Sequence, residues 1–109
     1  MQMQEVRYFI AVCEELNFTR AATLCGVSQP SISNAIKRLE QTLGGPLFRR
    51  ESGIIQLTEL GQIVRPYLQK IDRYAREARR KAAEFRRVRK SYPKPRHPSD
   101  AVMAEQLGE

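Results

Sequence analysis

The sequence predicts a mainly α fold in which three short helices and a two-stranded hairpin are followed by one long helix. Three observations carry that expectation. Apolar residues recur at three- and four-residue spacing through residues 2–43 and again from residue 59 to about residue 90. Two short runs, Leu47-Phe48-Arg49-Arg50 and Ile54-Ile55-Gln56-Leu57, flank Glu51-Ser52-Gly53, as in a small hairpin. Glycine or proline punctuates the joints at Gly26, at Gly44-Gly45-Pro46 and from residue 91 onward.

The first helix covers residues 2–16, with Val6, Phe9, Ile10, Cys13 and Leu16 on its inner face. Tyr8 and Val12 lie off that stripe, where they are available to a partner subunit. Asn17-Phe18 forms a hinge, with Phe18 as a core anchor. The second helix begins at Thr19, whose hydroxyl can cap the amides of residues 20–22, and runs through Ala21, Ala22 and Leu24 to Cys25. Gly26 ends it, since the residue after a last helical turn often takes a left-handed conformation that a Cβ penalises. Ser28-Gln29-Pro30 then restarts a helix, with serine as N-cap and proline in the first turn, where a missing amide costs nothing.

The third helix places Ile32, Ile36, Leu39 and Leu43 on one apolar face and Ser31, Ser33, Asn34, Lys37 and Arg38 opposite. Small inward residues, a glycine corner and this spacing are what a helix-turn-helix needs, because its two helices cross closely. Gly44-Gly45-Pro46 stops the third helix, the hairpin packs through Leu47, Phe48 and Leu57, and Thr58 caps the last helix. That helix carries Leu60, Val64, Tyr67, Ile71, Tyr74, Ala78, Phe85 and Val88 in a heptad-like series broken by Lys81, with Pro66 freeing the carbonyl of Gln62. A stripe this long cannot be buried on a domain of this size, so Tyr67, Ile71, Tyr74, Ala78 and Phe85 are expected to meet a partner helix. The prolines of SYPKPRHPSD forbid a helix. The expected domains are therefore 1–58, 59–90 and a disordered tail at 91–109.

Charge sharpens the division. The formal net charge is +7, yet residues 1–64 hold six cations against six carboxylates, while residues 65–90 hold eleven against three. The first part must then bind any polyanion by placement of charges rather than by their sum. No run of eighteen apolar residues exists and no secretory leader opens the chain, so neither a membrane partner nor export is expected, and the location is cytoplasmic. Cys13 and Cys25 match no metal spacing and read as buried thiols. His97 is the single histidine and has no catalytic companions, so neither an enzyme activity, a metal nor a cofactor is expected.

The exposed side of the third helix has the chemistry of a DNA reader. Gln29 can pair bidentately with adenine, and Ser31 and Ser33 can donate to a base or a phosphate. Ser28 and the free amides of the helix start suit a phosphate, and Lys37, Arg38 and Arg49 suit phosphates that fix register. Pro30 and Asn34 stand on the same face.

The block YFIAVCEELNFTRAATLCGVSQPSISNAIKRLEQTLGGPLFRRESGIIQLTELG resembles the amino-terminal winged helix-turn-helix of LysR-type transcriptional regulators over residues 3 to about 62. The combination AA, VSQPSIS, LE, LG, PLF, an arginine, LT and G at these separations is highly specific, and the helix after it resembles the family's linker helix. The resemblance implies a bacterial, nucleoid-associated DNA-binding domain. It would dimerise through its linker helices and set two recognition helices, residues 28–43, into successive major grooves of an interrupted inverted repeat. It makes Ser28 a phosphate-binding cap and places Gln29, Ser31, Ser33 and Asn34 at base edges or adjacent phosphates. It gives Lys37 to the DNA backbone and makes Arg50 the wing-root arginine, paired with Glu40 or reaching a phosphate.

Three departures stand out. The wing tip Glu51-Ser52-Gly53-Ile54-Ile55 lacks the family's frequent basic residues, Asn34 stands where a longer cation is common, and no segment resembles the effector-sensing domain. No small-molecule effector site is therefore expected in the chain. The leading expectation is a homodimeric regulator on double-stranded DNA, either constitutive or a piece of a longer effector-responsive protein. The alternatives are a dimerisation module that sequesters full-length relatives as heterodimers, and a nonspecific basic helix for nucleic acid or an anionic membrane.

Overall fold

The structure, a computed structural model, describes residues 1–91. Its elements are α1 (Met3–Glu15), α2 (Phe18–Cys25), α3 (Gln29–Leu43), β1 (Phe48–Glu51), β2 (Ile54–Leu57) and α4 (Glu59–Ser91). The fold is the mainly helical one expected, three helices and a two-stranded wing followed by a long helix. Apart from Ser91, the tail expected at 91–109 lies outside the described residues. The contacts of the chain divide it into two units, Met1–Ala75 and a second beginning at Arg76.

In the first unit α1, α2 and α3 close around Phe9, Ile32, Leu39, Val6 and Val12, all fully buried, with Ala21, Ala22 and Ala35 where the helices approach most closely. Small side chains are needed there because each extra methylene would hold the helix axes apart. Tyr8 and Val12, expected on an outer face for a partner subunit, are instead buried in this core. The inward face of α1 is wider than one three-four stripe, because both α2 and α3 pack on it. Leu16, expected inside, is the left-handed C-cap of α1 and is exposed. The cap of α2 also differs from expectation. Asn17, not Thr19, is its N-cap, and its Oδ1 accepts the Arg20 amide at 2.8 Å. Thr19 lies inside the first turn, so its hydroxyl is two residues too late to cap.

Gly26 (φ 70°) turns the chain from α2 into α3 as expected, and Ser28 caps α3 by accepting the Ser31 amide. Gly44 ends α3. The wing that follows is an antiparallel pair in register Phe48↔Leu57 through Glu51↔Ile54, closed by Ser52 and Gly53 at positive φ. Just before it, fully buried Leu47 has both backbone groups satisfied: its N–H donates to Glu40 Oε2 at 2.7 Å and its carbonyl accepts the Thr58 amide at 3.0 Å. Thr58 caps α4 as expected, accepting the Gly61 amide while donating to the Pro46 carbonyl. Gly61 is buried, and position 61 has no room for a side chain, because a Cβ there would overlap the Leu47 carbonyl.

The apolar series of α4 is two faces rather than one stripe. Leu60, Val64 and the unforeseen Leu68 pack on the core of the first unit, whereas Ile63, Tyr67, Ile71 and Tyr74 are exposed. In the second unit α4 continues with exposed Ala78, Phe85 and Val88, and Arg80 joins Glu84 (2.8 Å) and Glu77 (3.9 Å) along its surface. Among the described residues no helix is long and apolar enough to cross a membrane.

Candidate nucleic-acid interface

With Ile32, Ala35, Ile36 and Leu39 turned into the core, the 3.6-residue period sends Pro30, Asn34, Lys37 and Gln41 to the opposite side of α3, and all four are exposed. This row is an α-helical surface free to enter a groove. Gln41 is its one member that the sequence reading did not single out. The signal was present in the spacing 30, 34, 37, 41, but a polar residue late in the helix carries no motif of its own.

On the wing side of that row lie Gln29 and Ser33, both half-buried, where Gln29 Nε2 donates to Ser33 Oγ at 2.8 Å. They line an open cleft of about 390 Å³ together with Phe18, Ile36, Lys37, Glu40, Phe48 and Arg50. The aromatic wall is built in sequence, Phe9 against Phe48 (5.4 Å between ring centroids) and Phe48 against Phe18 (5.9 Å, edge on). The Arg50 guanidinium sits 4.7 Å over the Phe18 ring. Glu40 is engaged by the Leu47 amide and no Arg50–Glu40 pair forms, so that half of the expectation for Arg50 is corrected. A cation on an aromatic face keeps its outer N–H groups available to an anion.

On the other flank, Ser28 and Ser31 place their hydroxyls 2.8 Å apart at the helix start, both exposed. Arg38 is turned away from the row. Its Nε lies 3.5 Å from Glu5 Oε2, and Glu5 is a carboxylate buried in the first turn of α1 that also accepts the Gln2 amide. An isolated carboxylate is costly to bury, so Arg38 is the cation that makes Glu5 tolerable and ties α3 to α1. Expected among the DNA contacts, it also has this structural partner, while its side chain stays 55% exposed. On the wing Arg49 is exposed and lies 4.0 Å from Glu51, so the acidic wing tip meets a cation of its own strand.

The thiols are poor nucleophiles. Burial pushes Cys13 up to about 11 against a smaller opposing effect of Arg65, and burial also raises half-buried Cys25. Among the described residues no group of three His, Cys, Asp or Glu converges as a metal site would require.

Residues 3–62 match the family profile described as "Bacterial regulatory helix-turn-helix protein, lysR family". The HTH-type transcriptional regulator BudR of Klebsiella aerogenes is 52% identical over 62 residues, which is 57% of this chain and 43% of that protein. The chain spans less than half the length of the curated relatives it matches. Among solved structures, the CbnR_DBD–DNA complex is similar at 35% identity and a TM-score of 0.69, over 77% of this chain and 98% of that one. The BenM_DBD/catB site 1 DNA complex is similar at 32% identity and a TM-score of 0.67, over 81% and 96%.

Proposed function

The chain belongs to the lysR family of bacterial regulatory helix-turn-helix proteins, and we propose that it binds specific double-stranded DNA and regulates transcription as a dimer. The single observation that carries the reading is the exposed row Pro30, Asn34, Lys37 and Gln41 on a helix whose opposite face is wholly committed to the core. Such a helix is rigidly held and has its polar edge free for a major groove. The likeness to two DNA-binding domains solved on DNA supports it.

In this reading Gln29, Ser33 and Asn34 address base edges, while Lys37 and Arg50 meet phosphates. Ser28, Ser31 and the free amides at the start of α3 receive another phosphate, since a helix N-terminus attracts anions. Pro30 makes apolar contact, and Arg49 reaches the backbone from the wing. The exposed side chains Tyr67, Ile71 and Tyr74, and Ala78 and Phe85 further along α4, are the surface that a second subunit covers. The cytoplasm is the compartment in which such a protein meets its operator.

Selection of duplexes from a random pool, followed by competition of the selected duplex against random DNA, tests the reading. Binding that random DNA displaces as easily as the selected site would refute it and leave a nonspecific basic protein.

A further inference from the structure

We propose that Ser33 is a positioning residue for Gln29, and that the two side chains read one adenine as a unit whose hydrogen-bonding pattern is set before DNA arrives. This rests on the reading of α3 as the helix that enters the major groove. Gln29 and Ser33 are four residues apart and so stack on one side of the helix, where the Gln29 amide donates to Ser33 Oγ at 2.8 Å. Both are half-buried along the cleft whose apolar wall is Phe18, Ile36 and Phe48, so the bond is partly shielded from competing water.

A solvated glutamine samples many rotamers and presents its amide either way round. With one N–H engaged by Ser33, the amide plane of Gln29 is held, and what remains outward is one N–H donor beside the Oε1 acceptor. That pair complements the N7 acceptor and N6 amino donor of adenine in the major groove. Ser33 Oγ is used as an acceptor toward Gln29, so its hydroxyl hydrogen points elsewhere, as a donor to an acceptor on the neighbouring base pair, such as guanine N7 or O6 or thymine O4. The exposed Ser28–Ser31 pair sets no comparable pattern, because either hydroxyl can be the donor.

The test uses the full chain and a duplex selected from random DNA, in wild type, Gln29→Ala, Ser33→Ala and the double variant. The readout is the affinity ratio between adenine and 7-deazaadenine, which lacks the N7 acceptor, at the adenine read. The expected ratio is roughly tenfold for wild type, about one for Gln29→Ala, and under about threefold for Ser33→Ala although Gln29 is intact. In this ratio the double variant should match Gln29→Ala, because Ser33 acts on the N7 contact only through Gln29. A wild-type ratio in Ser33→Ala, or a ratio in the double variant that differs from that of Gln29→Ala, would overturn the proposal.

A second measurement needs no DNA. In the free protein the two Gln29 amide protons should be well separated by NMR and exchange slowly with water, and in Ser33→Ala they should converge and exchange faster. An unchanged Gln29 signal in Ser33→Ala also overturns the coupling. If wild type prefers no selected duplex over random DNA, the major-groove reading fails and this proposal with it, whereas preserved DNA preference with uncoupled variants sinks the coupling alone.

Discussion

Alanine in place of glycine usually stabilises a helix interior, by about 1 kcal/mol. Gly61, in the first turn of α4, is expected to do the reverse. A Cβ built there would overlap the Leu47 carbonyl oxygen and lie 2.7 Å from Leu57 Cδ2. Leu47 cannot yield easily, because it is fully buried and its carbonyl accepts the Thr58 amide while its own amide is held by Glu40. Forcing a methyl into such a contact costs about 1–3 kcal/mol, and displacing the carbonyl from Thr58 about 0.5–1.5 more. Set against the helix gain, Gly61→Ala should lose about 1–3 kcal/mol in all. In urea that is a midpoint lowered by about 1–2 M with an unchanged slope, read by helical circular dichroism at fixed protein concentration. Gln62→Ala, one residue on and exposed, is the control and should leave the midpoint in place or raise it slightly. A Gly61→Ala protein as stable as wild type would refute the argument that α4 docks by close backbone approach to the root of the wing.

Other outcomes follow from the interface. Lys37→Ala should weaken binding to selected and random DNA alike and reduce the salt slope by roughly one unit. Arg38→Ala should leave the slope nearly unchanged but lower stability by about 1–2 kcal/mol, because it strands the buried Glu5 carboxylate. A slope change in Arg38→Ala equal to that in Lys37→Ala would return Arg38 to the DNA contacts. Since Cys13 is raised from 9.0 to about 11 in the fold, its stabilising effect is fully present below pH 9 and lost as pH climbs toward 11. Stability should therefore decline less with alkali in Cys13→Ala than in wild type, and parallel declines would contradict the burial argument. Ile71→Asp should split the dimer, since it sets a carboxylate into the apolar surface that a partner covers, where it loses water and gains no partner. Equal sedimentation and equal DNA affinity of the variant and wild type would exclude that interface.

Much of this fold is legible in the sequence because its signals are local. Gly26, Ser28, Pro30 and Thr58 act within one turn of themselves, so composition alone places them. What was hidden depended on neighbours distant in sequence. Tyr8 and Val12 are core residues because two helices, not one, pack on α1, and a single three-four stripe cannot express that. Asn17 rather than Thr19 caps α2, a shift of two residues that turns on backbone conformation at the hinge. Leu68 is inward because α4 leans on the first unit through Leu60 and Val64, while Tyr67 and Ile71, only one or three residues away, are exposed. On α3, residue types marked Gln29, Ser33, Asn34 and Lys37 as candidates, but not that Arg38 pairs with Glu5. The partner of a long cation is set by tertiary packing, and Glu5 precedes it by a whole helix-turn-helix.

The distribution of charge also bears on how such a domain can be specific. Of the carboxylates near the interface, Glu5 faces Arg38, Glu40 holds the Leu47 amide and Glu51 faces Arg49, so each negative charge close to the expected DNA path has a positive or donor group against it. On the exposed row of α3 itself, Lys37 is the one charged side chain, flanked by Pro30, Asn34 and Gln41. A surface of this kind gains little from general attraction to polyanions, and so little that is common to all sequences, while its neutral hydrogen-bonding groups discriminate between base edges. The second unit has the opposite balance, arginines in excess over Glu77 and Glu84 along exposed helix. Preference among duplexes is then expected from the neutral groups of α3, with Lys37 adding a salt-sensitive phosphate contact there, while any contribution of the basic excess of α4 is expected to be common to all sequences.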